Sequence, residues 1–537
     1  MAMDKRRRFT SVVVGKPALL ALPPLFALYL VTRTVNIKGV PIFIDEAIYL
    51  KWARDAQSGH MWASLLWDGK PPLHSWSMVP LLGVFRDPLL AGRLTSVFFG
   101  ALTMVGMILI GKELMNLEFG VFTGFLYAIC PFALFYDRLA IAECMLQALF
   151  VFAIYFAVKA ARSGKLVYLV GTSIATGMAL LTKGTATLLF VIVPFAYLVR
   201  GPKERDGDGR LPMLRWGLTV GLSLLLGFAI LNLLRLSPKY AARSHYIATR
   251  SKGITAALAT PLKTFFRFNA SILLSMVRYL TPVLFAVAVF GLVLGLAKRW
   301  RPGDFLWAWV IIGASVISLV GRFTWARFYL VLVPPLLLAA AYALHEASVF
   351  ILRAWRRRQR PGRVPVAAVS AIALLALMLA VLVPAASLSA GMIRGTQGEA
   401  DYLKGRDAGI GMIETAGMIK DLSRNRAVNV VVNDYFVQLV LQLYTGNDTN
   451  LHIVTLQLEY RKGFTDFLRN TYEKAASERP TFLIINGAST GIPSSWPLQV
   501  IREFKKDEGG KMDSMFVTRV KPDTTTNTAP GKAKMGS

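Results

Sequence analysis

The sequence predicts a mainly α, polytopic membrane protein of about eleven transmembrane helices, followed by a C-terminal extracytoplasmic α/β domain. Three observations carry this. Of the 537 residues 54% are hydrophobic and the mean hydropathy is +0.49, too apolar for one soluble core. Apolar runs long enough to cross a bilayer recur as far as residue 390, separated by short basic segments. Beyond Gly391 those runs stop, and short apolar stretches alternate with amphipathic ones. The net charge of +30 sits mainly between the runs, where lysine and arginine set topology, and this distribution argues against a nucleic-acid partner. Cys130 and Cys144 lie in or beside apolar runs, and no disulfide framework or zinc-ligand spacing is present.

Lys5, Arg6, Arg7 and Arg8 precede the first run, near 12–32. It continues past Pro23 and Pro24 without a small-residue cleavage site, which predicts a retained helix and a cytoplasmic amino terminus. Later runs fall near 91–111, 118–136, 141–160, 167–182, 185–199, 216–234, 273–297, 305–321, 324–344 and 365–390. With this count the basic segments 159–165, 200–215, 298–303 and 353–363 share the cytoplasmic side, as the positive-inside trend requires. Asp45, Lys70, Asp137, Lys183, Arg322, the 235–272 loop and everything after 391 then share the external side.

The predicted transmembrane domain covers 1–390, with a first external loop over 33–90. Within that loop, Ile48 to Trp67 is too short and too polar to span, but its tryptophans suit helices lying along the interface. Leu73 to Leu90 is apolar yet bounded by Pro72 and interrupted by Pro80; counting it as a span would put the basic loops outside. In the 391–520 domain, Val428–Val432 and Phe482–Ile485 read as strands, and Ile413–Leu422, Phe436–Tyr444 and Phe464–Ala476 as helices. Residues 521–537, rich in Thr, Pro, Lys and Gly, read as a disordered tail.

An ionisable side chain inside lipid costs roughly 2.5 to 3.5 kcal/mol on insertion scales unless water or a charged ligand meets it. This singles out Asp45-Glu46 and Asp68-Gly69-Lys70-Pro71-Pro72 as a candidate active-site loop. Asp45 suits a helix N-cap and equally a general base that takes the proton of an acceptor hydroxyl or amine attacking a sugar carbon. Glu46 either orients it or faces solvent. Lys70 is either a snorkelling interfacial lysine or a cation on a phosphate leaving group. Asp68 and His74 offer a carboxylate and an imidazole; two donors do not define a metal site, so no cofactor is assigned, with a divalent metal as the alternative.

Asp137-Arg138, ending the third run ahead of Glu143, reads as a local ion pair or as a second acid of the site with Arg138 on substrate. Lys183, between two runs, is a membrane-edge lysine or a phosphate ligand. The long external loop carries Arg243, His245, Tyr246, Arg250 and Lys252. An external basic cluster runs against the positive-inside trend, and a lipid-linked phosphate accounts for it. Arg322 and Arg327 belong to the same argument.

Asp45-Glu46 after the first run, Lys70-Pro71-Pro72, Arg93-Leu94, Asp137-Arg138 and Thr182-Lys183-Gly184 together resemble the GT-C glycosyltransferases, in particular the bacterial protein O-mannosyltransferase-like and aminoarabinose-transferase-like branch. The resemblance covers about residues 10–200 and the later runs in architecture. It implies a sugar donor on a polyprenyl phosphate such as undecaprenyl phosphate, and a catalytic Asp corresponding to Asp45. It also implies inversion at the anomeric carbon, external catalysis and no nucleotide sugar. The acceptor, whether lipid, glycan or protein, is left open. One departure stands out: aminoarabinose transferases carry Glu before Lys-Pro-Pro, where this chain has Asp68-Gly69. Two readings from other classes are a flippase for lipid-linked saccharides, which would favour mid-span polar residues or repeats, and a catalytically silent membrane scaffold.

Overall fold

The computed structural model describes residues 18–200, 210–238, 240, 241, 245, 254–320, 325–357, 366–394, 400–405, 407–446, 448–455, 476, 479–487, 494, 496–508 and 511–521. The chain divides into two compact units, one of residues 1–39, 55–86 and 90–397, the other of 40–54, 87–89 and 398–537.

The first unit is a bundle of apolar helices. Among the described residues six are long and apolar enough to cross a bilayer, Pro88–Leu114, Ala142–Ser163, Met213–Leu236, Arg301–Val320, Ala326–Ile351 and Leu375–Arg394, or up to eight if each of two bent pairs is one span. The expected count of about eleven is not confirmed among the described residues. Ala18–Thr34, Leu166–Thr182 and Gly184–Val199 are apolar but shorter. Two expected runs are also broken. Pro131 follows Cys130, and the helices Leu117–Ile129 and Pro131–Asp137 meet at 65°. Residues 273–297 are not one helix, because Thr281 takes a φ of +76° and Pro282 starts a new helix, bending the pair by 116°. A proline has no N–H to continue the preceding helix but suits the first turn of the next. Leu73–Val84 has twelve residues, about 18 Å of helix against a core of ~30 Å, so it is no span.

The centre of the bundle is formed by Ala142–Ser163, 72% buried, and Ala326–Ile351, 89% buried, whereas Met213–Leu236 and Leu375–Arg394 are under 30% buried and leave their apolar faces outward. Trp309 joins the layers: its ring stacks on Phe150 at 5.8 Å and its Nε1–H donates to Val331 O at 3.1 Å.

The second unit holds a five-stranded sheet in the order β2-β1-β3-β5-β4, with β1 Val428–Val432, β2 Leu451–Thr455, β3 Thr481–Asn486, β4 Leu498–Glu508 and β5 Lys511–Val520. β1 pairs in parallel with β2 and β3, and β5 runs antiparallel to both β3 and β4. The two central parallel strands are the most apolar, as burial on both faces requires. Asp434 caps the helix Tyr435–Thr445 through Phe436 N at 2.9 Å, and this helix packs on Met412–Ser423 and on β1. Residues 42–44 join this unit by backbone pairing: Phe43 bridges Ala408, Ile44 N donates to Asp407 O at 3.1 Å, and Gly409 N donates to Ile42 O at 2.7 Å. The expected helix at 464–476 falls outside the described residues apart from Ala476, as does the tail after Lys521.

Candidate active site

In the first unit, three ionisable side chains from distant parts of the sequence meet. Glu143 lies in the first turn of Ala142–Ser163, where the helix dipole favours a carboxylate. Lys183 caps the C-terminus of Leu166–Thr182, and Arg327 comes from the 3₁₀ turn Ala326–Leu332. Both cations pair with Glu143 Oε1, Arg327 Nε at 3.2 Å. Glu143 is 3% exposed, Lys183 21% and Arg327 11%, so the cations face outward from a buried anchor. Phe328 packs beneath Lys183 at 4.6 Å and Arg327 at 5.6 Å. Two cations thus share one carboxylate.

Lys70 belongs to the same unit. The helix Ala63–Asp68 stops at Gly69, whose φ of +60° is the left-handed closure glycine adopts without strain, and Pro71-Pro72 prevents resumption before Leu73. Lys70 Nζ pairs with Asp68 Oδ2 at 2.9 Å, both partly exposed. Leu65 from this helix packs with Leu181, two residues before Lys183. His74 is fully buried, and burial pulls its imidazole down to about 4, against the opposing effects of a backbone hydrogen bond with Ala140 and of Glu143; nearby Lys183 adds to the lowering. It is therefore neutral at physiological pH. Among the described residues no group of three His, Cys, Asp or Glu could hold a metal ion, and Asp68 meets Lys70.

Asp137 is 1% exposed and fully engaged: Arg33 Nε lies 3.4 Å from Oδ2, and the hydroxyls of Tyr127 and Tyr29 donate to it at 3.1 and 3.3 Å. The local Asp137–Arg138 pair of the sequence reading is replaced by one 104 residues apart. Arg138, 2% exposed, donates to main-chain carbonyls instead, those of Val35 at 3.0 Å, Met392 at 3.2 Å, Ile393 at 3.4 Å and Asn36. Burial, then Arg93 and Arg33, pull its guanidinium down to about 10, still protonated at neutral pH.

In the second unit, Asp45 and Glu46 occupy the first turn of Ile44–Gln57. Asp45 is thus one residue inside the helix rather than at its cap, and is half-buried. Glu46, 0% exposed, makes the capping contact by accepting from Phe43 N at 3.0 Å. His245 is exposed, while Arg243, Tyr246, Arg250, Lys252 and Arg322 lie outside the described residues. Sequence reasoning grouped Arg327 with the basic residues for a lipid-linked phosphate but left Glu143 and Arg33 out of the site. The available signal was an ionisable residue at the end of an apolar run; which distant residue it meets is not written locally.

Residues 69–230, less than a third of the chain, match the family described as dolichyl-phosphate-mannose-protein mannosyltransferase. No curated protein sequence matches the chain. Among solved structures, ArnT from Cupriavidus metallidurans in the apo state is similar at 15% identity and a TM-score of 0.59, over 94% of this chain and 98% of ArnT. The same enzyme bound to undecaprenyl phosphate gives 16% identity and 0.59 over 95% and 99%. The archaeal oligosaccharyltransferase AglB from Archaeoglobus fulgidus, in complex with an inhibitory peptide and a dolichol-phosphate, gives 13% and 0.52 over 87% of this chain and 69% of AglB. At these identities the likeness is one of fold, extending over nearly the whole chain for ArnT. The family match thus covers residues 69–230, and over the rest of the chain what is shared with ArnT and AglB is the fold.

Proposed function

We propose that this protein transfers a sugar from a polyprenyl-phosphate donor, undecaprenyl phosphate being the carrier seen with ArnT, to an acceptor on the external face of the membrane. The acceptor is a lipid, glycan or protein nucleophile. Asp45 takes the proton of its hydroxyl or amine as that atom bonds to the anomeric carbon from the face opposite the phosphate. The bond from that carbon to the phosphate oxygen breaks with inversion, and polyprenyl phosphate leaves.

The observation that carries this reading is Lys183 and Arg327 held on Glu143. Charge grows on the phosphate oxygens as the bond breaks, and preformed cations stabilise it most where water is scarce. Lys70 is assigned the same role, its pair with Asp68 opening as phosphate arrives. The apolar surface of the bundle suits a polyprenyl chain. A charge-assisted contact contributes about 1.5 to 3 kcal/mol, so Lys183→Met should weaken undecaprenyl phosphate binding about ten-fold or more, measured by titration in nanodiscs. Unchanged affinity in Lys183→Met and in Arg327→Met would remove the phosphate site from this cluster.

A further inference from the structure

The run Val333-Pro334-Pro335 leaves two carbonyls short of main-chain donors. The carbonyl of residue i accepts from the N–H of i+4 in an α-helix and of i+3 in a 3₁₀ turn, and proline has no N–H to give. Val331 O therefore loses both possible donors. Leu330 O loses the α-helical one and keeps the 3₁₀ bond from Val333 N, so the turn Ala326–Leu332 stays tight up to the start of the helix Val333–Arg357. Two buried side chains supply the missing donors. Gln147 Nε2 donates to Leu330 O at 3.1 Å, and Trp309 Nε1 donates to Val331 O at 3.1 Å.

Gln147 lies one helical turn after Glu143 on Ala142–Ser163, and Phe150 follows three residues later. Residues at these spacings share one helix face. That face meets the 3₁₀ turn at three successive points: Glu143 at Arg327, Gln147 at Leu330, and Phe150 through the stacked ring of Trp309 at Val331. Gln147 is 1% exposed, and its Oε1 has no hydrogen-bond partner among the described residues. A buried acceptor left in this way is unfavourable, and methionine would fill the same space without one. The amide is thus explained by where its N–H group points rather than by stability. We infer that Gln147 is a positioning residue for Arg327. It holds the turn three residues beyond that arginine, fixes the approach of Arg327 to Glu143, and so sets the pair of cations presented to the lipid phosphate. The inference rests on the phosphate reading of Lys183 and Arg327 proposed above.

The test titrates undecaprenyl phosphate and uncharged undecaprenol into the full-length protein in nanodiscs, comparing the unaltered chain with Gln147→Met, Arg327→Met and the double variant. Gln147→Met conserves volume and removes the donor. Its affinity for undecaprenyl phosphate should fall toward that of Arg327→Met, a loss of about ten-fold, with undecaprenol binding unchanged. The double variant should bind no more weakly than Arg327→Met alone, because the two residues act as one unit. Equal losses for both lipids, or losses that multiply in the double variant, would overturn the inference, since the amide would then support the bundle at large. If Gln147→Met does not fold, Trp309→Phe, which keeps a ring against Phe150 and loses the N–H, is read by the same criteria. Normal binding of undecaprenyl phosphate by Arg327→Met would sink the phosphate reading and this role with it, whereas normal binding by Gln147→Met beside a weakened Arg327→Met would overturn the present inference alone.

Discussion

The burial of His74 has a measurable consequence for stability. Buried beside Glu143 and Lys183, it is pulled from its ordinary 6.5 to about 4. As pH falls the unfolded chain takes up the proton first, so the contribution of neutral His74 is complete above about 6.5 and declines toward about 4. The loss approaches about 3 kcal/mol. Melting temperature in detergent should fall over this window, and a His74→Gln protein should lack that part of the slope. Equal slopes would show that other groups titrate. The residue scale is also where the sequence is least explicit. Asp137 and Lys183 stand out as charges at the ends of apolar runs, but their partners Arg33 and Glu143 are set by packing between helices far apart in the chain.

At the scale of elements, periodicity and composition are better guides. The strand at Val428–Val432 and the helices at 412–423 and 435–445 follow from the apolar pattern. The hairpin of β4 and β5 is invisible to the same reasoning, because Lys505, Lys506, Asp507 and Glu508 interrupt its alternation and it is held by pairing with β3. Hydropathy likewise does not register the bend at Thr281, which is a matter of one backbone angle. Helix packing supplies a sharper test. A methyl on Gly100, in Pro88–Leu114, would fall 2.6 Å from Asp137 Cγ and against the Tyr29 hydroxyl, whereas one on Gly217 would meet nothing within 4 Å. Gly100→Ala should therefore destabilise the protein by about 1 to 3 kcal/mol, seen as an earlier unfolding transition, with Gly217→Ala near neutral. Matching transitions in the two variants would show that Asp137 and Tyr29 have room to move.

For the whole molecule, the membrane class and the C-terminal sheet domain were legible from hydropathy, because burial in lipid and burial in a soluble core leave different run lengths. The number of spans was not, since short and broken helices carry the same composition as whole ones. Nor does composition reveal that residues 40–54, with Asp45, pack with the second unit through pairing to 407–409. The account as a whole asks one thing of Asp45, that it remove a proton during sugar transfer. The direct measurement is transfer of radiolabelled sugar from a panel of polyprenyl-phosphate donors by the purified protein in nanodiscs, with Asp45→Asn in parallel. Loss of a general base lowers rate by roughly 10² to 10⁴, so transfer by one donor that falls by this factor in Asp45→Asn, with carrier binding and melting temperature retained, is the predicted result. Transfer at a near-normal rate by Asp45→Asn would contradict the account.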